Sequence, residues 1–452
     1  MLRLIFFRYL TKATDALNQC DKEGRRFSIL DAVGKHRLLA LLIAGLSCFS
    51  MWFYVDRIWA PPVYVYYSDL FPRWYGTREL LLHGRDPYGL DVTREMQSWG
   101  RARVIGAEEL HDEPRFAYPL YIAFLLAPTI GYSFPAVEAL FRWILPATVL
   151  VTIPLWLSAL RWRCNRQTLA LLTLLSFGNF ATLQNIYLQQ PALLAALFLS
   201  ASCAALSAGF LPLAGVLLAL ATIKPPVTWL AVVCLILWAV SDWRSRKKLV
   251  WGFILAMAVL EGASELLLPG WIPEFFSGLI AYSRYTRGSW LLSDLATQSG
   301  ALVVCGGVLI LFAPVLWRVR HEPAGSASFN FALCFVLVVT VVVTPIPYTT
   351  AQIMLLPAIF LLLTEFERVW AGGRYPRLMY VGVFTLIGWQ WLGSLLFMIA
   401  ATVISLDTLR KHWIIPVCSV LLIPLAMLIL YFVLAGRRLF DDGRLNSSRN
   451  PA

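Results

Sequence analysis

Charge is scarce in this sequence. Only 14% of the 452 residues are charged and 59% are hydrophobic, whereas an ordinary soluble domain is about a quarter charged and about half apolar. So few polar groups cannot cover a chain of this size in water, which argues against a soluble globular protein and for a lipid-facing exterior. Histidine is rarer still, at five residues, and no two cysteines form a CxxC pair. Neither a metal site nor a disulfide framework is therefore expected. Of the eight cysteines, Cys48, Cys203, Cys234, Cys305, Cys334 and Cys418 lie within or at the ends of apolar runs; Cys20 and Cys164 lie in basic segments. No glycine-rich phosphate loop follows a strand pattern, so nothing indicates a nucleotide-binding sheet. No cleavable signal peptide is expected: residues 1–10 are short and carry Arg3 and Arg8, so the first apolar run predicts an uncleaved helix.

What the sequence has in abundance is apolar runs of membrane-crossing length. Thirteen candidates occupy 38–55, 116–132, 136–160, 167–183, 191–208, 210–223, 227–240, 249–268, 299–317, 329–343, 350–364, 378–400 and 413–434. The net charge of +12 is carried between these runs rather than on one soluble face, which speaks for membrane topology and against nucleic-acid binding. Basic residues mark the tail before Leu38 and the segments 161–166, 244–248, 318–320, 368–377 and 437–444, all expected in the cytoplasm. An even number of crossings must then separate the tail from Arg161, yet three candidates lie there. The run 116–132 is the weakest, short and broken by Pro119 and Pro128, so it reads as a shallow or re-entrant segment. The expected fold is an all-α polytopic membrane protein of about twelve (11–13) transmembrane helices. Its expected organisation is a basic tail (1–37), an amino-terminal membrane module (38–240), carboxyl-terminal helices (241–440) and a second tail (441–452).

One outer segment, 56–115, is far longer than the rest. It carries eight arginines against ten acids, a balance that the inner loops lack. Residues 73–82 have helical character, ended by turn signals at His83-Gly84 and Asp86-Pro87, and surface helices are expected here. Asp69 follows the first span closely, where a carboxylate can accept a proton from a sugar hydroxyl; equally, it can pair with Arg73 or cap the following helix. Lys224, between an apolar run and Pro225-Pro226, either snorkels to the interface or meets an anion such as phosphate. Asn179, Gln184, Asn185, Tyr187, Gln189 and Gln190 gather amides and a phenol at one helix end, a set suited to sugar binding or to an interfacial turn. Arg284 and Arg287 stand among aromatics in 269–298, first as an amphipathic surface segment and second as a phosphate or acceptor contact. Glu138 and Arg142, at i,i+4 spacing, predict a structural ion pair, and Glu261 and Glu265 lie within or near a span.

Read in order, several of these elements form a pattern. Asp69 comes soon after the first span; Gly84-Arg85-Asp86-Pro87-Tyr88 gives G-x-D-P-Y; Phe116-Ala117-Tyr118-Pro119 opens a proline-interrupted apolar run; Ala214-Gly215 precedes Lys224-Pro225. From about residue 38 to 240 the chain resembles glycosyltransferase family 87, the polyprenyl-phosphate-mannose-dependent transferases of the GT-C superfamily. Two motifs depart from that family's pattern: Thr297-Gln298-Ser299 stands for its N-Q-S, and Tyr118-Pro119-Leu120 for its Y-P-P. The resemblance implies a GT-C-type bundle in the plasma (inner) membrane of a bacterium, with its site facing the extracytoplasmic side. It implies an inverting transfer of a hexose, mannose in that family, from a polyprenyl-phosphate sugar to a lipid or glycan acceptor. Asp69 would be the base, with Asp86, Tyr88, Tyr118, Asn185, Gln189, Arg284 and Arg287 as candidate substrate contacts. Lys224 on the donor phosphate is a physical inference rather than a family rule. No cofactor and no metal are implied, and the expected partners are the donor, the acceptor and membrane lipids. The rival classes are a secondary transporter and a lipid-carrier flippase without transferase activity; the few mid-span charges and the lack of a mirrored second half count against the first.

Overall fold

The computed structural model describes residues 37–60, 68–101, 114–285, 292, 297–344 and 348–437. Among them the chain folds into helices and turns with no strand. Helix α1 (Arg37–Tyr54) runs into a π-helical turn (Val55–Trp59), and α2 (Leu70–His83) and α3 (Leu90–Arg101) follow. A short α4 (Ile122–Leu126) precedes α5 (Phe134–Ala159), α6 (Arg166–Phe177), α7 (Phe180–Tyr187), α8 (Ala192–Ser207) and α9 (Leu211–Leu220). Then come α10 (Pro225–Ser241), α11 (Trp243–Leu267), α12 (Trp271–Tyr285), α13 (Gln298–Val319) and α14 (Ala327–Val343). The chain closes with α15 (Tyr348–Ala351), α16 (Leu356–Thr364), α17 (Phe366–Ala371), α18 (Arg374–Ala400), α19 (Leu406–Lys411) and α20 (Ile414–Gly436).

Six helices in the described residues are long and apolar enough to cross a membrane, seven if the bent pair α6–α7 counts as one. Five shorter apolar helical segments, of 10–17 residues, accompany them. Large apolar side chains on α11 and α13 face outward, Leu255 at 67% exposure and Val303 at 74%. In water such a surface would cost about 25 cal/mol for each Å² exposed, and as a contiguous apolar exterior it fits hydrocarbon. By contrast, α14 is buried along nearly its whole length and forms the centre of the bundle. The most extensive pairings are α9 with α11, α18 with α20 and α5 with α8. Where α9 meets α11 the backbones touch: a Cβ on Gly215 would lie 2.1 Å from the Leu249 carbonyl oxygen, and one on Gly252 2.4 Å from that of Pro212. Only glycine permits that approach, the usual device of close helix pairs in membranes.

Three expectations from the sequence change in detail. The run 167–183 is not one straight helix: α6 and α7 meet at 59° at Gly178-Asn179. Asn179 Oδ1 caps α7 through the Ala181 amide (2.8 Å), while Gln390 Oε1 takes the Phe180 amide (2.9 Å) and Trp391 Nε1 donates to the Gly178 carbonyl (2.7 Å). The freed backbone groups are thus satisfied by side chains of α18, the condition for a broken helix at membrane depth. The run 350–364 is likewise divided, into α15, a 3-10 turn (Gln352–Leu355) and α16, which starts with Pro357 in its first turn. Third, α2 is not a surface helix. Ten of its residues, Leu70 to Leu80, are buried, with Phe71 and Trp74 packed on Phe134 at 5.0 and 5.3 Å between ring centroids. It ends at Gly84, whose φ of 65° is the left-handed C-cap that the sequence signal anticipates. Helix α3 does have one outward face, with Leu90 and Trp99 exposed and Val92 and Met96 buried.

Between Phe116 and Tyr132 the chain forms only five-residue α4 and a 3-10 turn (Ala127–Thr129), too little helix to cross a bilayer. The seven described cysteines are free. Basic turns distant in sequence converge at one end of the bundle. Arg161 Nη2 donates to the carbonyls of Ser207 (3.3 Å) and Ala324 (3.1 Å), and Arg246 Nη1 to that of Arg320 (2.7 Å).

Candidate functional site

The opposite end holds the polar residues that the sequence brings to notice. Its centre is a turn, Leu188-Gln189-Gln190, between α7 and Pro191. Gln189 takes a left-handed backbone, φ 53°, which is unfavourable for a residue with a Cβ by about 1 kcal/mol or more. Its own side chain compensates: Oε1 accepts from Ser68 Oγ (2.8 Å) and Nε2 donates to the Glu138 carbonyl (2.8 Å). The Asp69 amide donates to the Leu188 carbonyl (3.0 Å), so the start of α2 is stitched to the same turn. Non-glycine residues held in such a conformation concentrate at functional sites.

Gln190 follows, and its buried amide joins two charged groups. Its Oε1 accepts from Lys224 Nζ at 2.6 Å, and its Nε2 donates to Asp69 Oδ2. Asp69 heads α2 but makes no side-chain cap bond, so its carboxylate is directed to Gln190 rather than to the helix. Lys224 is positioned by the 3-10 turn Ala221–Ile223 before it and by Pro225-Pro226, which open α10, after it. Thr228 Oγ1 closes this corner on the Ala221 carbonyl (3.1 Å). Three residues far apart in sequence thus form a carboxylate–amide–ammonium row.

Around this row the walls are aromatic. Arg73, buried, donates to the Asp69 carbonyl oxygen, and its guanidinium lies 4.4 Å from the centroid of the Tyr118 ring, a cation–π contact. Tyr121 is hydrogen-bonded to Thr222 Oγ1 (2.8 Å), two residues before Lys224, and its ring meets Trp271 edge-on at 6.2 Å. Tyr88 donates to the Tyr118 carbonyl (2.7 Å) and packs against Phe116 and Phe275 at 5.1 and 6.5 Å. Burial, with the charge of Asp86 and then that of Glu261 adding to it, pushes the Tyr88 hydroxyl well above its ordinary range, so it stays a protonated donor. Glu261, on α11, has an Oε2 that is shielded from solvent and makes no hydrogen bond.

The sequence candidates therefore divide. Asp69 and Lys224 come together, and Gln189 anchors the turn that joins them. Tyr118 lies against Arg73 in the adjoining wall. Asp86 and Tyr88 hold the chain in shape, the Asp86 Oδ1 accepting from the Tyr88 amide (2.9 Å) as an Asx turn. Asn185 is fully buried, its Nδ2 donating to the carbonyls of Ala181 (2.7 Å) and Thr350 (2.9 Å), and so fastens α7 to α15. The Arg284 side chain and the whole of Arg287 lie outside the described residues. Glu138 and Arg142 form the expected i,i+4 pair at 3.5 Å. Gln190 the sequence names only within the run of amides before Pro191, and Arg73 only as a possible partner of Asp69; that Gln190 bridges Asp69 and Lys224 is visible only in the fold.

Chemically, the row offers a carboxylate whose Oδ1 is not engaged by Gln190, beside a fixed ammonium. That pairing suits a reaction in which a hydroxyl loses a proton while an anionic group departs. Among the described residues, no three histidine, cysteine, aspartate or glutamate side chains are grouped to hold a metal ion. Compared with models of protein families, with curated proteins and with solved structures, the chain matches none.

Proposed function

We propose that this protein is a membrane glycosyltransferase that moves a hexose, mannose by family resemblance, from a polyprenyl-phosphate donor to a lipid or glycan acceptor. The observation that carries the reading is the Gln190 amide, which links the Asp69 carboxylate to the Lys224 ammonium. In the proposed reaction Asp69 takes the proton of an acceptor hydroxyl as its oxygen attacks the anomeric carbon. The bond from that carbon to the phosphate oxygen breaks, and polyprenyl phosphate leaves with the electron pair. Lys224 stabilises the charge gathering on the phosphate. Attack from the face opposite the leaving group inverts the anomeric centre. A phosphate leaves readily as an anion, so no general acid is required.

In this reading the six long helices and the bent pair are joined by the five shorter apolar segments to make twelve crossings. The end where Arg161, Arg246 and Arg320 converge faces the cytoplasm, by the preference of Lys and Arg for that side. Asp69 and Lys224 then face the extracytoplasmic side.

Asp69→Asn tests the chemistry. A positioned base is worth about 10²–10⁴ in rate, so membranes carrying this variant at normal abundance should lose the glycolipid product by that factor. An unchanged glycolipid profile defeats the assignment. For the topology, His83→Cys should be labelled by a membrane-impermeant thiol reagent in intact cells; labelling only after lysis overturns the orientation.

A further inference from the structure

At the end of the bundle opposite Asp69 and Lys224 a crevice opens between α10, α13 and α14. It encloses about 360 Å³, within the range of small-molecule sites, and is walled by side chains such as Leu235, Leu316, Phe329 and Leu333. Its mouth is lined by exposed apolar side chains. Among them are Leu237 (59% exposed) and Trp317 (69%), on the apolar exterior of the bundle. A second, shallower hollow continues it over Pro314 along the outside of α13 and shares Ala313, Trp317 and Arg320 with it.

The arginines at the rim differ in what they are committed to. Arg246 is buried and fully employed: its guanidinium donates to the carbonyls of Trp238, Arg320, His321 and Glu322 at 2.7–3.2 Å and lies 3.7 Å from the Trp238 ring centroid. It closes the end of α13, a cation at a helix carboxyl terminus. Arg320 stacks on Trp317 at 3.9 Å and donates once, from Nη1 to the Trp317 carbonyl (2.6 Å); the rest of its fork has no protein partner among the described residues. Arg318 is exposed beside it.

We infer that this crevice binds one acyl chain of an anionic phospholipid, whose phosphate rests against Arg318 and Arg320. An apolar cleft open sideways to hydrocarbon selects a ligand with an apolar body, and an uncommitted guanidinium fork at its end selects an anionic head. Basic pockets between membrane helices are a recurring form of anionic-lipid recognition. The inference does not depend on the transferase reading, because α10 separates the two sites: Lys224 precedes its first residue and Trp238 lies in its last turn.

The experiment uses the full chain, purified in detergent and freed of lipid, then offered phosphatidylglycerol or phosphatidylcholine of equal chain length. Retention is read by native mass spectrometry and by thermal melting. Each arginine near an anionic head contributes about fivefold, so phosphatidylglycerol should be retained about twenty-five-fold better. Arg318→Gln with Arg320→Gln should abolish that preference while weak retention of both lipids persists. Ala313→Phe, at an exposed position that lines both hollows, should block the mouth and reduce retention of both. Melting in detergent alone confirms that each variant is folded. Equal retention of the two lipids by the unaltered protein overturns the inference, as does a preference that survives the double arginine substitution.

Discussion

Gln190→Leu removes the amide and keeps the size and burial of the side chain. The structure assigns that amide two charge-assisted hydrogen bonds, one from Lys224 Nζ at 2.6 Å and one to Asp69 Oδ2. A hydrogen bond to a charged group is worth about 1.5–3 kcal/mol. Not all of this is lost in the variant, because Lys224 is half-buried and water can reach both ions. Taking one such bond as the net effect, and about 1.4 kcal/mol per factor of ten, the proposed transfer should fall about 10–100-fold. Donor-dependent sugar transfer in reconstituted membranes measures this directly. Lys224→Ala should weaken use of the donor, seen as a higher donor concentration for half-maximal rate. The two substitutions act on one row, so the double variant should be less impaired than the product of the single effects. Two results refute the reasoning: Gln190→Leu within about twofold of the unaltered rate at normal abundance, or full additivity with Lys224→Ala.

Three further outcomes test the fold that positions this row. Gly215→Ala drives a Cβ against the Leu249 carbonyl oxygen at 2.1 Å, so the α9–α11 pair must separate and the protein should lose about 1–3 kcal/mol. Gly306→Ala on α13, with nothing within 4 Å, should be neutral or stabilising by up to about 1 kcal/mol; thermal melts that rank the two alike would refute the close-approach argument. Gln390→Leu strips the buried Phe180 amide of its acceptor at the α6–α7 bend and should cost about 1–3 kcal/mol in the same assay. The third outcome concerns acid. Arg85 holds the Glu95 carboxyl below its usual range, helped by Tyr75, whose hydroxyl donates to it at 2.9 Å. A depressed carboxyl stabilises the fold above its unfolded value of about 4.3 and loses that contribution as pH falls through the folded value. Hydrogen exchange over 70–101 should therefore quicken below about pH 4, and Glu95→Gln should flatten that dependence.

Much of the architecture is legible because its physics is local. Most apolar runs long enough to span hydrocarbon become helices, and α5, α13, α18 and α20 lie close to the runs that predict them, with α11 starting about one and a half turns earlier than its run. Gly84 and the Asp86-Pro87-Tyr88 turn are readable for the same reason, since each depends on its own backbone. What is not legible depends on distant partners. The bend at Gly178-Asn179 exists because Gln390 and Trp391 supply hydrogen bonds from more than 200 positions away. Helix α2 reads as a surface helix, with Arg73, Arg78 and Glu79 along it, and is nevertheless buried. Arg73 spends its charge on a backbone carbonyl and the Tyr118 ring, and Glu79 meets Arg85 at 3.0 Å.

The candidate site shows the same division more sharply. Asp69 and Lys224 each stand out alone, as a charge beside an apolar run, but nothing in the sequence joins them. The connection is a glutamine, the residue type least marked for chemistry, and its suitability follows from its amide. An amide accepts from an ammonium with one atom and donates to a carboxylate with the other, carrying no charge of its own. A glutamate at 190 would hold Lys224 but repel Asp69, and a lysine would do the reverse. A leucine would leave both to water. Glutamine alone fixes the two ions while leaving donor valences on Lys224 and one carboxylate oxygen of Asp69 outside the bridge. The left-handed turn at Gln189, secured through Ser68 and Glu138, then keeps this amide in register with α2. On this argument Gln189→Gly, which accepts the same backbone without strain, should fold but loosen the register of Gln190. Transfer should then fall more than stability does; equal losses in both would return Gln189 to a purely structural part.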